Sequence, residues 1–143
     1  MKHLFLAGLI ALMGLNNVAA QNKITITVDG MRHATGKILV SLHNSPDTYG
    51  SYSKCYLFKE INVEQHQTTC TFDNLADGTY TVTLFHDHDN NRKLTTNFIG
   101  IPKEGFGFSN NAKVRIGKPD YKLAKFDVKN NANVTQLIHL QFL

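Results

Sequence analysis

The densest group of side chains able to ligate a metal or move a proton is HDHDNNRK, residues His86 to Lys93. Alternate side chains of an extended strand end fall on opposite faces, so His86 and His88 share one face, and Asp87 and Asp89 the other. Two imidazoles on one face can begin a zinc or copper site, but a closed site needs further ligands. His33, His43, His66 and His139 are scattered, and nothing in the sequence brings them near. Asp87, Asp89 and Glu104 offer carboxylates for acid–base work. Hydrolysis through them or through His86 would also need a nucleophile set beside a base. Ser109 has no nucleophile elbow, and neither Cys55 nor Cys70 lies in a catalytic context. The expectation is a protein that is not an enzyme, with a hydrolase as the least favoured alternative.

The elements that must hold these groups read as strands. Apolar and polar residues alternate at Ile24–Val28, Ile38–Leu42, Tyr80–Leu84 and Val134–Phe142, with shorter runs at Tyr56–Phe58 and Cys70–Phe72. The last long run carries one polar intruder, Gln136. Turn residues separate the runs: Asp29-Gly30, Asn44 to Gly50, Asp73-Asn74, Asp77-Gly78, Gly117 and Asn130-Asn131. One helical turn is expected at Pro119–Lys125, since proline suits a first helical position. Many short strands with frequent turns predict an all-β fold, a single immunoglobulin-like (prealbumin-like) antiparallel sandwich of about seven strands. Leu75, Gly78 and Tyr80 resemble a tyrosine corner, in which the phenol bonds backbone just upstream. The longest stretch without alternation is His86–Ala112. Segments of that length in a small sandwich usually carry function. Gly100, Gly105 and Gly107 permit backbone conformations closed to other residues. Phe98, Ile101, Phe106 and Phe108 are expected to pin the segment down, with Asn110 and Asn111 bridging backbone groups.

Residues 1–20 read as a secretory signal peptide: Lys2, an apolar run from Leu4 to Leu15, then Val18-Ala19-Ala20 before Gln21. That run is too short to span a bilayer, and no later stretch approaches the needed length. The predicted mature domain is 21–143, exported to the periplasm or the extracellular space. The chain carries net charge +4. No Lys/Arg run marks a nucleic-acid groove, which argues against a nucleic-acid partner. The absence of Trp removes a Trp-based sugar platform but leaves a Tyr-based one open. In an oxidising compartment Cys55 and Cys70 are either a disulfide or two small buried apolar residues.

The run Gly100-Ile101-Pro102-Lys103-Glu104-Gly105-Phe106-Gly107-Phe108-Ser109-Asn110-Asn111-Ala112 is long and unusual. It is preceded by Leu75, Gly78, Tyr80, His86-Asp87, Asp89, Asn91, Leu94 and Asn97, and followed by Pro119, Tyr121, Ala124 and Phe126. On these residues the chain resembles the secreted bacterial family known as domain of unknown function 2141. The resemblance covers essentially the whole mature chain and implies an immunoglobulin-like secreted domain without an established activity. The family's loop at this place is similar to a calcium loop, with oxygens at alternate positions around one cation. Mapped here, Asp87, Asp89 and Asn91 supply oxygens, and Thr95 stands where a second acidic residue is usual. Arg92 replaces a glycine, at a cost on the order of 1 kcal/mol for positive φ, and Phe98 stands at the position of a bidentate Glu. The competing expectation is an Asx-rich turn whose carboxylates bond backbone N–H groups.

Together these readings predict a non-catalytic binding or structural module of the cell envelope. Its partner would be an envelope protein, a glycan or a small ligand, met through the 86–112 loop. The alternative is a calcium-braced module using Asp87–Asn97; no other cofactor is implied.

Overall fold

Alternation places Asn22, Ile24, Ile26 and Val28 on the buried side of β1 (Asn22–Asp29), and the same logic builds the rest of the core. The computed structural model describes residues 21–143, so the expected signal peptide at 1–20 lies outside the described residues. The other strands are β2 (Lys37–His43), β3 (Leu57–Asn62), β4 (Gln67–Leu75), β5 (Gly78–Asp87), β6 (Phe106–Phe108), β7 (Phe126–Val128) and β8 (Asn133–His139). One short helix, α1 (Tyr121–Ala124), lies where the proline predicted a helical turn.

These strands form two sheets, a β-sandwich. One has the order β4-β1-β8, and the other β3-β2-β5-β6, with β7 also paired to β5. Eight strands agree with the expected number of about seven; the three-residue β6 and β7 are too short to show alternation. The sheets are not wholly antiparallel: β1 and β8, the first and last strands described, run parallel from Lys23↔Asn133 to Asp29↔His139. Asp73-Asn74 is not a turn. β4 continues through it, and Asn74 takes a positive φ near a register shift between Asn22 and Ile24.

The main core lies between the sheets, with Ile24, Ile26, Phe72 and Ile138 meeting Ile38, Val40, Leu42, Val82 and Leu84. The intruder Gln136 is buried but satisfied, since its side-chain amide exchanges hydrogen bonds with Asn110. The tyrosine corner forms as expected: the Tyr80 hydroxyl donates to Ala76 O at 2.7 Å. Cys55 and Cys70 are free thiols, which corrects the disulfide reading. Cys55 Sγ is turned to Tyr52 O, while Cys70 packs against the sandwich core. Burial lifts the Cys70 thiol to about 11, far from the thiolate needed for exchange.

The outer face of the five-stranded sheet is also covered. β5 is buried on both faces from Tyr80 to Asp87, because the chain after it folds back over Leu39, Phe85 and Phe106. Farther along the same face lie Ser41, His43, Thr81 and Thr83, all buried. His43 Nε2 meets Thr83 Oγ1 at 3.0 Å. Burial first, and then the charge of Lys118, hold the His43 pKa down from 6.5 to about 4. The folded state therefore keeps His43 neutral where the unfolded chain binds a proton. Its contribution is fully present above pH 6.5 and is lost as pH falls to about 4. We expect a loss on the order of 2 kcal/mol over that window. Urea midpoints of wild type and His43→Gln should show a shallower acid slope for the variant; identical slopes would refute this.

Candidate functional site: a carboxylate-clamped loop and an apolar cleft

The stretch after β5 is tied down by two buried carboxylates. Asp87 is 0% exposed. Its Oδ1 accepts from Asn91 N at 3.0 Å and its Oδ2 from Arg92 N at 2.9 Å. Glu104 comes from the far end of the loop. Its Oε1 accepts from His88 N at 3.0 Å and its Oε2 from Thr95 N at 2.9 Å. Asp89 accepts from Asn91 N, Asn91 Nδ2 and Thr95 Oγ1, and Asn91 Oδ1 accepts from Lys93 N. Backbone N–H groups left open by an irregular turn are thereby paired, which such a turn requires when it is part-buried. Asn90 and Arg92 both take positive φ, 57° and 60°, so the strain expected of Arg92 is present. Its guanidinium points away from the carboxylates, to Glu60. There Lys37, and then Arg92, hold the Glu60 carboxyl below its ordinary range.

Ligating atoms of Asp87, Asp89 and Glu104 all lie within 4.8 Å of one another. Glu104 thus joins the expected Asp87 and Asp89. Asn91 and Thr95 stand beside them but are engaged in the turn, with Asn91 Nδ2 donating to Thr95 Oγ1 at 3.0 Å. Among the described residues no cationic side chain is ion-paired with these three carboxylates.

Histidines gather on the other side. His33, which the sequence left isolated, stacks on His88 at 4.0 Å between ring centroids. His86 is buried, and its Nε2 lies 2.7 Å from Thr35 O. His88 Nδ1 meets Thr35 Oγ1 at 3.2 Å. His66 sits against Met31 O and His139 against Asp29, outside this group.

Beyond the clamp, residues 95–103 form a small hairpin. Thr96 bridges Pro102, and Lys103 N donates to Thr95 O. Asn97 closes the tip: its Oδ1 accepts from Ile99 N and Ile101 N, and Gly100 takes φ +85°. Phe98 does not pin the segment. It is 99% exposed, and Ile101 is exposed as well. Phe106 and Phe108 do anchor the return, through β6 on β5. Gly100 alone of the three expected glycines needs its conformation. Gly105 and Gly107 are required for space, since a Cβ at Gly107 would lie 2.5 Å from Ile138 Cγ2. Asn110 and Asn111 bridge as expected. Asn110 Nδ2 reaches Leu123 O and Lys125 O, and Asn111 joins Leu137 O to His139 N. Ser109 is buried and bonded to Val82 and Ala124 backbone.

Between the hairpin, β6 and the following loop runs an apolar cleft of about 410 Å³, lined by Leu94, Ile99, Ile101, Phe106, Phe108 and Val114, with Lys118 at its edge. A second cleft of about 560 Å³ shares Tyr52 and Leu94 with it and extends over Leu39, Phe58 and Phe85 to Glu60, Arg92 and Lys93. Both volumes fall in the range of small-molecule sites.

Residues 26–136 match the sequence model of a family described as "Uncharacterized protein conserved in bacteria (DUF2141)". No curated protein and no solved structure matches the chain.

Proposed function

The chain belongs to this bacterial family, and from that premise we propose an exported, non-catalytic binding module that takes an amphipathic ligand in the cleft beneath the 95–103 hairpin. The ligand class is an apolar chain bearing an acidic head. The observation that carries this reading is the cleft itself: an apolar lining from Leu94 to Val114, with Lys118 at its margin. The carboxylates are assigned to structure, because both oxygens of Asp87 and both of Glu104 already accept backbone N–H groups. Export rests on the leader-like residues 1–20.

Titration of the 21–143 protein with a fluorescent long-chain fatty acid tests the proposal. Saturable uptake is expected, weakened about tenfold or more by Leu94→Glu, which sets a charge in both clefts. Absence of uptake, or a Leu94→Glu curve equal to wild type, would sink it.

A second reading, calcium bracing of the Asp87–Asn97 loop, is favoured by the convergence of Asp87, Asp89 and Glu104 without a counter-cation. A ligand of the folded state alone raises the melting temperature. A rise in millimolar calcium over chelator supports this reading, and superimposable melts remove it.

A further inference from the structure

We propose that the 95–103 hairpin and the 113–118 loop together dock this protein on an anionic phospholipid bilayer. The proposal rests on the amphipathic-ligand reading above and names the source of that ligand.

Two loops flank the cleft, and each lifts an apolar side chain into solvent. Phe98 and Ile116 are both 99% exposed, and Ile99 and Leu143 are exposed beside them. Ile99, Gly100, Gly117, Lys118 and Leu143 all line the one cleft, which places the two tips on the same side of the molecule. The hairpin tip is built rather than loose. Asn97 accepts from the N–H groups of Ile99 and Ile101, Gly100 N donates to Asn97 O, and Glu104 holds the base through Thr95 N. A preformed tip loses little conformational freedom when it enters an interface.

Charge supplies the second half of the argument. Residues 90–119 contain Arg92, Lys93, Lys103, Lys113, Arg115 and Lys118 against the single acid Glu104, which is buried. The segment that builds both loops is therefore strongly basic. Lys93, Lys103, Lys113 and Arg115 make no ion pair among the described residues. Lys113, Arg115 and Lys118 ring a recess with Ile116 and Leu123, where Asp120 is the one acid. Apolar tips with a basic surround match an anionic bilayer on both counts: the side chains enter the acyl boundary while the cations meet lipid phosphates. A neutral bilayer would satisfy only the first, and a soluble acidic partner only the second.

Co-sedimentation of the 21–143 protein with phosphatidylglycerol/phosphatidylcholine vesicles, against phosphatidylcholine alone, tests this. Binding is expected to the anionic vesicles and to fall steeply with added salt. Lys113→Glu with Arg115→Glu should weaken it about tenfold or more, and Phe98→Ser with Ile116→Ser by about tenfold or more. Neither pair lies in the fatty-acid cleft, so probe uptake should persist in both. Equal binding to neutral vesicles, no binding to anionic ones, or variants that bind like wild type would overturn the docking. Fatty-acid uptake without vesicle binding defeats only the bilayer, whereas vesicle binding without uptake defeats only the cleft.

Discussion

Asp87→Ala should lower stability by on the order of 3 kcal/mol, which is roughly 10 °C in melting temperature for a domain of this size. The carboxylate is fully buried and accepts from the N–H groups of Asn91 and Arg92. Alanine strips Arg92 N of its acceptor and leaves Asn91 N with only the longer bond to Asp89 Oδ1 at 3.2 Å. It also releases Arg92 from the positive φ that those bonds sustain, so the turn should unwind locally. Asp87→Asn is the informative control. One amide oxygen can still accept while the charge is gone, so a clamp should keep about half of the lost stability. A calcium site would lose nearly all of its metal response in Asp87→Asn, because a neutral amide is a poorer partner for a hard cation. Chemical denaturation of the three proteins, with calcium and with chelator, separates the roles. Wild-type stability in the alanine variant would show that Asp87 is no clamp.

Gly36→Ala should be as damaging, although residue 36 touches no ligand surface. Gly36 has φ +81°, and an added Cβ would stand 2.4 Å from Asp87 O and 2.8 Å from His88 Cα. Both obstacles are backbone of the strand end that carries the clamp, so neither can swing aside. Positive-φ strain and overpacking together predict a loss of about 2–4 kcal/mol. Gly100→Ala provides the comparison: its φ is +85°, but nothing lies within 4 Å of the added carbon. Conformational strain alone should cost it about 1 kcal/mol. Equal losses at the two positions would mean that the close approach at Gly36 is unimportant. A larger loss at Gly36, with weakened fatty-acid uptake, is the expected result.

What alternation could reveal was legible in the sequence: β1, β2, β5 and β8 each have one face on the main core, and the apolar residues of that face recur at every second position. The Leu75–Tyr80 corner was legible because one hydroxyl and one carbonyl define it. The parallel pairing of β1 with β8 was not, since it joins strands a whole domain apart in the chain. Nor was the meeting of His33 with His88, which depends on how the β1–β2 connection passes the end of β5. Phe98 misled for a different reason. An apolar residue in a loop reads as an anchor, yet the Asn97 turn aims it outward. Glu104 was recognisable as a candidate, but its pairing with Asp87 across the hairpin required the fold. The sequence shows no run of Lys and Arg. Folding sets Lys113, Arg115 and Lys118 around one recess beside Ile116.

Amide chemical-shift mapping of isotope-labelled 21–143 protein, titrated with a long-chain fatty acid, tests most directly whether this cleft is the binding site. The account predicts saturable shifts centred on Leu94, Ile99, Ile101, Phe106, Phe108 and Val114, with the clamp residues Asp87 and Glu104 little moved. Shifts scattered over the surface, or centred on the opposite β4-β1-β8 sheet, would contradict it.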